Sequence, residues 1–374
     1  MKRRALLDAL AGALILAVGM GFGRFAFTGL YPQMIADGVL DLRGGSLAAS
    51  ANYAGYLLGA LLLAWRHPWR PGTLCRAGLF ASLACLLAMA VAPGVAGILP
   101  LRFLAGVASA LALVGASLWL LRADHHPQAA PVLYAGVGLG ILLSAELIVA
   151  GRAVGWHSPA LWLLLALVAA LLSLPALGAL KRPTDSAAET APAQRALPAG
   201  RLVALYGLAG FGYIVTATYL PLLLRDGLGS VDPLQLWAAF GLGAAPSCFL
   251  WHYLRECLGT RAALAFNLGL QAVGVALPAF APGVPACLLS ALLVGGTFMG
   301  TVTIAMAAAR GESQRRPQLA AWMTASYGVG QIAGPLLADA LHSRYQHFAP
   351  ALLAAAAGLA LGALLSLPRP APAT

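Results

Sequence analysis

Charge is scarce in this chain. Only 9% of its 374 residues are Asp, Glu, Lys or Arg, against roughly 25% in ordinary soluble domains. A soluble fold needs a polar surface, and so few charges cannot cover one. Acidic residues are the scarcer sign, 12 against 23 basic ones. The 5 cysteines are odd in number and show neither a disulfide framework nor metal-ligand spacing. What remains is apolar, 60% hydrophobic with a mean hydropathy of +0.83. An excess of that size faces lipid, so the chain is expected to be an integral membrane protein. Membrane β-barrels need alternating apolar and polar positions in segments of about ten. The runs here are continuous and rich in Leu and Ala, which points to helices. A net charge of +11 would suggest nucleic acid in a soluble protein. The basic residues instead sit in short clusters between apolar runs, so no nucleic-acid partner is expected and the partner is the bilayer.

A helix needs about 20 apolar residues to cross the hydrocarbon core. Reading from breaker to breaker gives twelve spans: 9–31, 46–64, 73–91, 97–121, 131–151, 159–180, 202–224, 235–254, 262–281, 284–308, 319–341 and 348–367. No small-residue cleavage site follows Lys2-Arg3-Arg4, so the first run is expected to stay as a helix. Of the loop cations, 17 fall on one side and 4 on the other (Arg43, Arg152, Arg225 and Arg344), with Arg24 and Arg102 inside spans. The positive-inside rule then predicts both termini cytoplasmic. The longest connection, 181–201, is rich in Pro, Ala and polar residues and reads as a cytoplasmic linker. It divides the chain into an N-terminal six-helix bundle, 1–180, and a C-terminal one, 202–374.

The halves echo one another. Gly21-Phe22-Gly23, Pro32 and Asp37-Gly38 recur as Gly210-Phe211-Gly212, Pro221 and Asp226-Gly227 at one offset of 189 residues. A weaker echo joins Gly136-Val137-Gly138 to Gly328-Val329-Gly330 at offset 192. Both halves begin on the cytoplasmic side, so the repeat is parallel, as in transporters built from paired six-helix halves. The expected fold is therefore all-α and integral to the membrane, with twelve transmembrane helices in two parallel-repeat bundles.

The segments GMGFGRFAFTGLYPQMIADG (19–38), ANYAGYLLGAL (51–61) and YAGVGLGILLS (134–144) resemble the YbfB/YjiJ-type branch of the major facilitator superfamily. The resemblance covers most of the chain and implies a secondary transporter of the bacterial inner membrane. Arg102-x-x-x-Gly106 is similar to the Arg-containing motif of proton-coupled members. The cytoplasmic motif Gly-x-x-x-Asp-Arg departs from the pattern, with Gly59 and Arg66 but no Asp. Its counterpart in the second half keeps only Glu256, Gly259 and Arg261.

Ionisable residues inside a span cost about 2.5–3.5 kcal/mol at the centre on insertion scales and are functional hypotheses by default. Arg24, Arg102 and Glu146 are the three here, all in the outer half of the first six spans. In the fold that the resemblance implies, the first and fourth spans line the central cavity and the fifth stands beside them. Two guanidiniums and one carboxylate leave one net positive charge, suited to a carboxylate held by a bidentate fork. Gly21 and Gly23 are expected to open space beside Arg24. Glu146 is read either as a proton-coupling carboxylate or as the structural ion-pair partner of an arginine. Asp339, near the end of its span, is assigned to interfacial solvation. The 189 offset sets Tyr213 opposite Arg24. Asn52 and Tyr56 share one face of the second span, while Gly55 and Gly59 read as a close helix contact. Gln331, Thr216 and Thr218 complete the candidate substrate contacts.

Gly19-x-Gly21-x-Gly23 has no preceding strand, so it is not a dinucleotide loop, and His125-His126 lacks metal-pair spacing. No HExxH, paired catalytic carboxylates or nucleophile elbow appears. Neither cofactor, metal nor catalytic residue is expected. The reading is secondary active transport of a small organic solute by alternating access, with an anion favoured by the excess arginine. One alternative is a proton-coupled exporter of neutral or amphipathic compounds, using Arg102 and Glu146. Another is a non-transporting membrane sensor.

Overall fold

The computed structural model describes residues 3–65, 69–92, 94–122, 129–181, 197–219, 232–281, 283–312, 316 and 318–367. Among these the chain folds into helices and short turns. They are α1 (Arg3–Ala36), α2 (Leu42–Trp65), α3 (Pro71–Met89), α4 (Gly94–Arg122), α5 (Ala129–Ala153) and α6 (Ser158–Ala179). The second half of the chain continues with α7 (Ala199–Tyr219), α8 (Pro233–Phe280), α9 (Val284–Gly311), α10 (Leu319–Tyr345) and α11 (Ala349–Ser366). Leu and Ala propagate helix readily, and in lipid only a helix satisfies its own backbone groups. Among the described residues, ten helices are long and apolar enough to cross a membrane. α10 is not one of them, since Thr324, Ser326, Gln331 and Asp339 dilute its apolar run.

Boundaries depart from expectation in two places. α1 runs well past 9–31 at both ends, to Arg3 and Ala36. Residues 235–254 and 262–281 belong to one helical run, α8, broken at Gly259 alone (φ 79°, ψ 163°). That conformation is open to glycine because it has no Cβ. The ring centroids of Trp251 and Phe266 lie 5.5 Å apart, where a straight helix would separate them by roughly 22 Å. The arms of α8 therefore fold back on each other without a loop. Of the 189-residue echo, Pro221, Asp226 and Gly227 lie outside the described residues, as does most of 181–201.

α1 is not a regular α-helix throughout. Residues Ala17–Phe25 form a wide π-helical stretch in which every residue is buried. Three glycines let this stretch sink between its neighbours. A methyl group at Gly21 would lie 2.5 Å from the Gly140 backbone of α5, and one at Gly23 would lie 3.2 Å from Ser82 of α3. Gly19 faces Ala112 of α4. The glycines are thus filled by close helix packing, and the expected open space beside Arg24 is not there.

Small residues also join the two halves of the chain. On α5, Gly136 meets Ala13 of α1 while Gly138 meets Ala245 of α8. On α10, Gly330 meets Gly207 and Phe211 of α7, while Gly328 meets Leu57 of α2. The glycines permit backbone approach that any side chain would block. Large apolar side chains on the opposite surfaces, such as Leu62, Phe80, Leu167, Leu250 and Leu364, are exposed. That girdle is the lipid-facing surface.

One face of the bundle carries the end of α1 and the turns before α6 and α8. Asp37 accepts from the Ser158 backbone N–H at 2.6 Å and pairs with His157 Nδ1 at 2.9 Å, tying α1 to the start of α6. Burial pushes this carboxyl up, but the hydrogen bonds from His157, Ser158 and Gln33 together outweigh it and hold Asp37 down at about 2. The stabilisation is present above the usual carboxylate range and fades as pH falls toward 2.

On the same face, Arg152 at the end of α5 pairs with Asp232 at 3.0 Å. Asp232 also caps α8 by accepting from the Leu234 N–H at 2.9 Å. Both partners are about one-third exposed, so screening limits the pair to about 1 kcal/mol or less. Arg152→Ala is expected to leave the melting temperature almost unchanged. A drop of many degrees would show that the pair contributes more than a screened surface ion pair.

Candidate functional site

Arg24 lies at the end of the π-helical stretch and is 2% exposed. Its Nη2 donates to Gln331 Oε1 of α10 at 2.6 Å. Gln331 in turn donates from Nε2 to the Tyr213 hydroxyl of α7. The guanidinium carbon lies 3.9 Å from the centroid of the Tyr56 ring. Its Nε and Nη1 are buried without a hydrogen-bond partner, and among the described residues no carboxylate lies within ion-pair distance. Taking a cation out of water costs several kcal/mol. The contact with Tyr56 offsets about 2, and the bond to Gln331 about 1.5–3. The charge has no counter-ion among the described residues, and Nε and Nη1 remain to be paired.

Those groups border a narrow cavity lined by Met20, Arg24, Tyr56 and Leu113 from the first half of the chain. The second half supplies Tyr206, Tyr213, Phe298, Met299, Val302, Tyr327 and Gln331. The space free inside it has room for little more than one water molecule, far less than an ordinary small-molecule pocket. Around it the halves touch on both sides. Tyr53 and Thr218 share a hydrogen bond at 3.0 Å, and Gly29 packs on Leu234 and Trp237. Toward the other face, Leu63, Ala64, Leu74, Val114 and Ala321 form one apolar cluster.

Of the residues singled out by sequence, the cavity brings together Arg24, Tyr56, Tyr213 and Gln331. Arg102 is close but differently employed. Its Nη1 and Nη2 donate to the carbonyls of Gly23 and Arg24 at 3.3 and 3.0 Å, and its guanidinium lies 4.4 Å from the Phe27 ring centroid. Arg102 thus ties α4 to the π-helical stretch through two of its backbone carbonyls. Asn52 is corrected from cavity to helix interface, because its Nδ2 donates to the Arg102 carbonyl at 2.9 Å. Gly55 and Gly59 meet α4 beside it, against Phe103 and Val107. Thr216 is buried outside the lining, and Thr218 faces Tyr53. Asp339 accepts from the Tyr219 hydroxyl at 2.8 Å.

Glu146 does not join the arginines. It is exposed on the outer surface of α5, while Ala145 and Ile148 turn inward. No ion pair links it to Arg24 or Arg102, so the expected buried pair is corrected. Glu146→Gln is accordingly expected to leave both melting temperature and uptake unchanged. A sharp loss of stability in that variant would restore the ion pair.

Sequence reading missed Met20, Leu113, Tyr206, Phe298, Met299, Val302 and Tyr327. Two carried a usable signal. Tyr206 lies seven residues before Tyr213, and Tyr327 four before Gln331, spacings that return to the same helix face.

A helical membrane bundle enclosing a small central cavity, lined from both halves of the chain, is the architecture of a solute transporter. The family model described as uncharacterised MFS-type transporter YbfB matches residues 16–367, and the chain belongs to that family. Solved structures with a similar fold include the human organic anion transporter MFSD10 (TETRAN). It is 16% identical with a TM-score of 0.71, over 98% of this chain and 100% of that one. Another is a bacterial homologue of the iron transporter ferroportin in the outward-facing state with soaked iron. It is 15% identical with a TM-score of 0.65, over 98% of each chain. No curated protein sequence matches the chain.

Proposed function

We propose that this protein is a secondary active transporter of a small organic anion in the bacterial inner membrane. The observation that carries the reading is Arg24, a buried guanidinium at a central cavity with Nε and Nη1 unpartnered and no carboxylate at ion-pair distance among the described residues. A carboxylate forked on Nη2 and either Nε or Nη1 would supply one of the missing hydrogen bonds and the missing charge in one planar contact. To do so it displaces Gln331 Oε1, which now occupies Nη2. The direct Arg24–Gln331 bond between the halves then becomes a bridge through substrate, and the halves, 1–180 and 202–374, rock about it. The resemblance in fold to an organic anion transporter agrees with this chemistry. Twelve spans follow when the arms of α8 on either side of Gly259 are counted separately and α10 is included.

The proton-coupled exporter has lost its machinery, because Glu146 lies outside the bundle and Arg102 serves the backbone of α1. A proton remains a candidate coupling ion only if it travels with the substrate. No observation favours the sensor. The test is a thermal-shift screen of purified protein against organic anions, followed by proteoliposome flux on the hits, with Arg24→Lys as control. Flux of the hits equal in wild type and control would overturn the reading.

The loop cations support an orientation with both termini and 181–201 in the cytoplasm. Single cysteines inserted in 37–45 are expected to react with an impermeant maleimide from outside, and one at position 190 not to react. The reverse pattern would invert the topology.

A further inference from the structure

We infer that Gln331 stands in for the substrate on Arg24, so that the empty carrier can close and recross the membrane and net transport needs no anion in return. This role rests on the reading of Arg24 as the anion site. Two halves that rock about one central cation meet a difficulty on the way back. Loaded, the guanidinium is forked by a carboxylate and its charge is met. Empty, the same guanidinium would be shut into a dry centre without an acceptor, and taking a cation out of water is costly. A carrier with no remedy closes only when loaded, and then moves one anion solely in exchange for another.

The remedy here is an amide. Gln331 Oε1 accepts from Arg24 Nη2 at 2.6 Å, between α10 and α1, on a nitrogen that a substrate carboxylate would use. An amide oxygen supplies one of the two acceptors of a carboxylate, without its charge. Gln331 Nε2 donates to the Tyr213 hydroxyl of α7, and that bond turns the oxygen toward the arginine. Both side chains are buried, Gln331 at 1% exposure. The Tyr56 ring, 3.9 Å from the guanidinium carbon, covers the cation on a second side. Nε and Nη1 stay unpaired, which keeps the empty site receptive to a carboxylate.

The centre around this chain of bonds is shut. The free space beside it has room for little more than one water molecule, so Gln331 and a substrate cannot occupy Nη2 together. On one side Tyr53 and Thr218 join the halves at 3.0 Å, and toward the other Leu63, Leu74 and Val114 pack with Ala321. No acidic residue lines the cavity, so the amide of Gln331 is the acceptor that the lining offers Arg24 on the return. A closed centre that serves its cation from within is the form an empty carrier needs to recross. A proton that travels on the substrate leaves with it, so the return step is the same with or without one.

The experiment measures two fluxes from proteoliposomes of the full-length protein. Vesicles are loaded with radiolabelled lactate, pyruvate or succinate, and valinomycin with equal potassium on both sides holds the voltage at zero. Efflux is followed into acid-free buffer and into buffer holding the same unlabelled acid, with protein-free vesicles giving the leak. Wild type is expected to release the acid into both. The ratio of net efflux to exchange should fall at least about tenfold in Gln331→Leu, which keeps the bulk and loses the acceptor. Tyr213→Phe frees the amide to turn away and should lower the ratio less, and it serves if the leucine variant does not fold. Wild type that exchanges an acid but releases none into acid-free buffer would overturn the role of Gln331 while sparing the anion site. A ratio in Gln331→Leu equal to that of wild type would do the same, even with both fluxes reduced. Exchange of none of the three acids, or exchange indifferent to Arg24→Lys, would overturn both.

Discussion

Replacing Arg24 with methionine is expected to abolish anion binding while leaving the protein as stable as before or more so. The two effects part because the guanidinium is held for a ligand. Buried at 2% exposure with Nε and Nη1 unpartnered, it is a net cost to the empty fold. Methionine removes that cost, keeps contact with the Tyr56 ring through its sulfur, and frees the Gln331 amide to reorganise around Tyr213. Affinity should fall by at least about 1.5–3 kcal/mol, roughly 10- to 150-fold, for loss of charged hydrogen bonds in a desolvated site. Arg24→Lys should also bind poorly, since a point ammonium neither forks a carboxylate nor stacks on Tyr56. Calorimetric titration and thermal unfolding on the same samples separate the two quantities. A methionine variant that binds as wild type, or that unfolds many degrees earlier, would make Arg24 a structural residue.

The opposite outcome is expected one layer away. Arg102→Met should lower the melting temperature strongly, because the carbonyls of Gly23 and Arg24 lose their donors inside the bundle. Each buried carbonyl left unmade costs about 1–3 kcal/mol. The π-helical stretch that aims Arg24 at the cavity would relax with it, so binding should weaken as a consequence of folding. Arg102→Lys can serve one carbonyl and should recover part of the stability. A melting temperature within a degree or two of wild type for Arg102→Met would show that the wide stretch of α1 needs no clamp. The pair of substitutions gives two arginines of the same region opposite signatures, one in ligand affinity and one in stability.

Much of this was legible before any coordinates. Low charge and long Leu/Ala runs dictate membrane helices, and a charge inside such a run stands out. Arg24 could therefore be found, and the 189-residue offset led from it to Tyr213. Rotation about the helix axis could not be read. α5 is apolar on every side, with little asymmetry between faces, so nothing in its sequence says that Glu146 points outward while Ala145 and Ile148 point in. The same blindness put Asn52 in the cavity. The π-helical stretch was hidden for another reason. Gly19, Gly21 and Gly23 signal freedom of backbone, but whether that freedom becomes space or close packing depends on Ala112, Gly140 and Ser82, which arrive from three other helices. The break between 254 and 262 falls at Gly259, which the sequence reading named only as part of a degraded motif. Its lone positive φ, which removes the need for a loop, follows only from the packing of the two arms of α8.

The central claim is that a small organic anion crosses the membrane by way of Arg24, and solute counterflow tests it most directly. Purified protein is reconstituted in liposomes loaded with an unlabelled carboxylate, and entry of external labelled carboxylate is followed over a panel of small organic acids. Transient accumulation is expected with at least one acid in wild type, reduced at least about tenfold in folded Arg24→Met. Counterflow of equal size in Arg24→Met, or none with any organic acid in the panel, would contradict it.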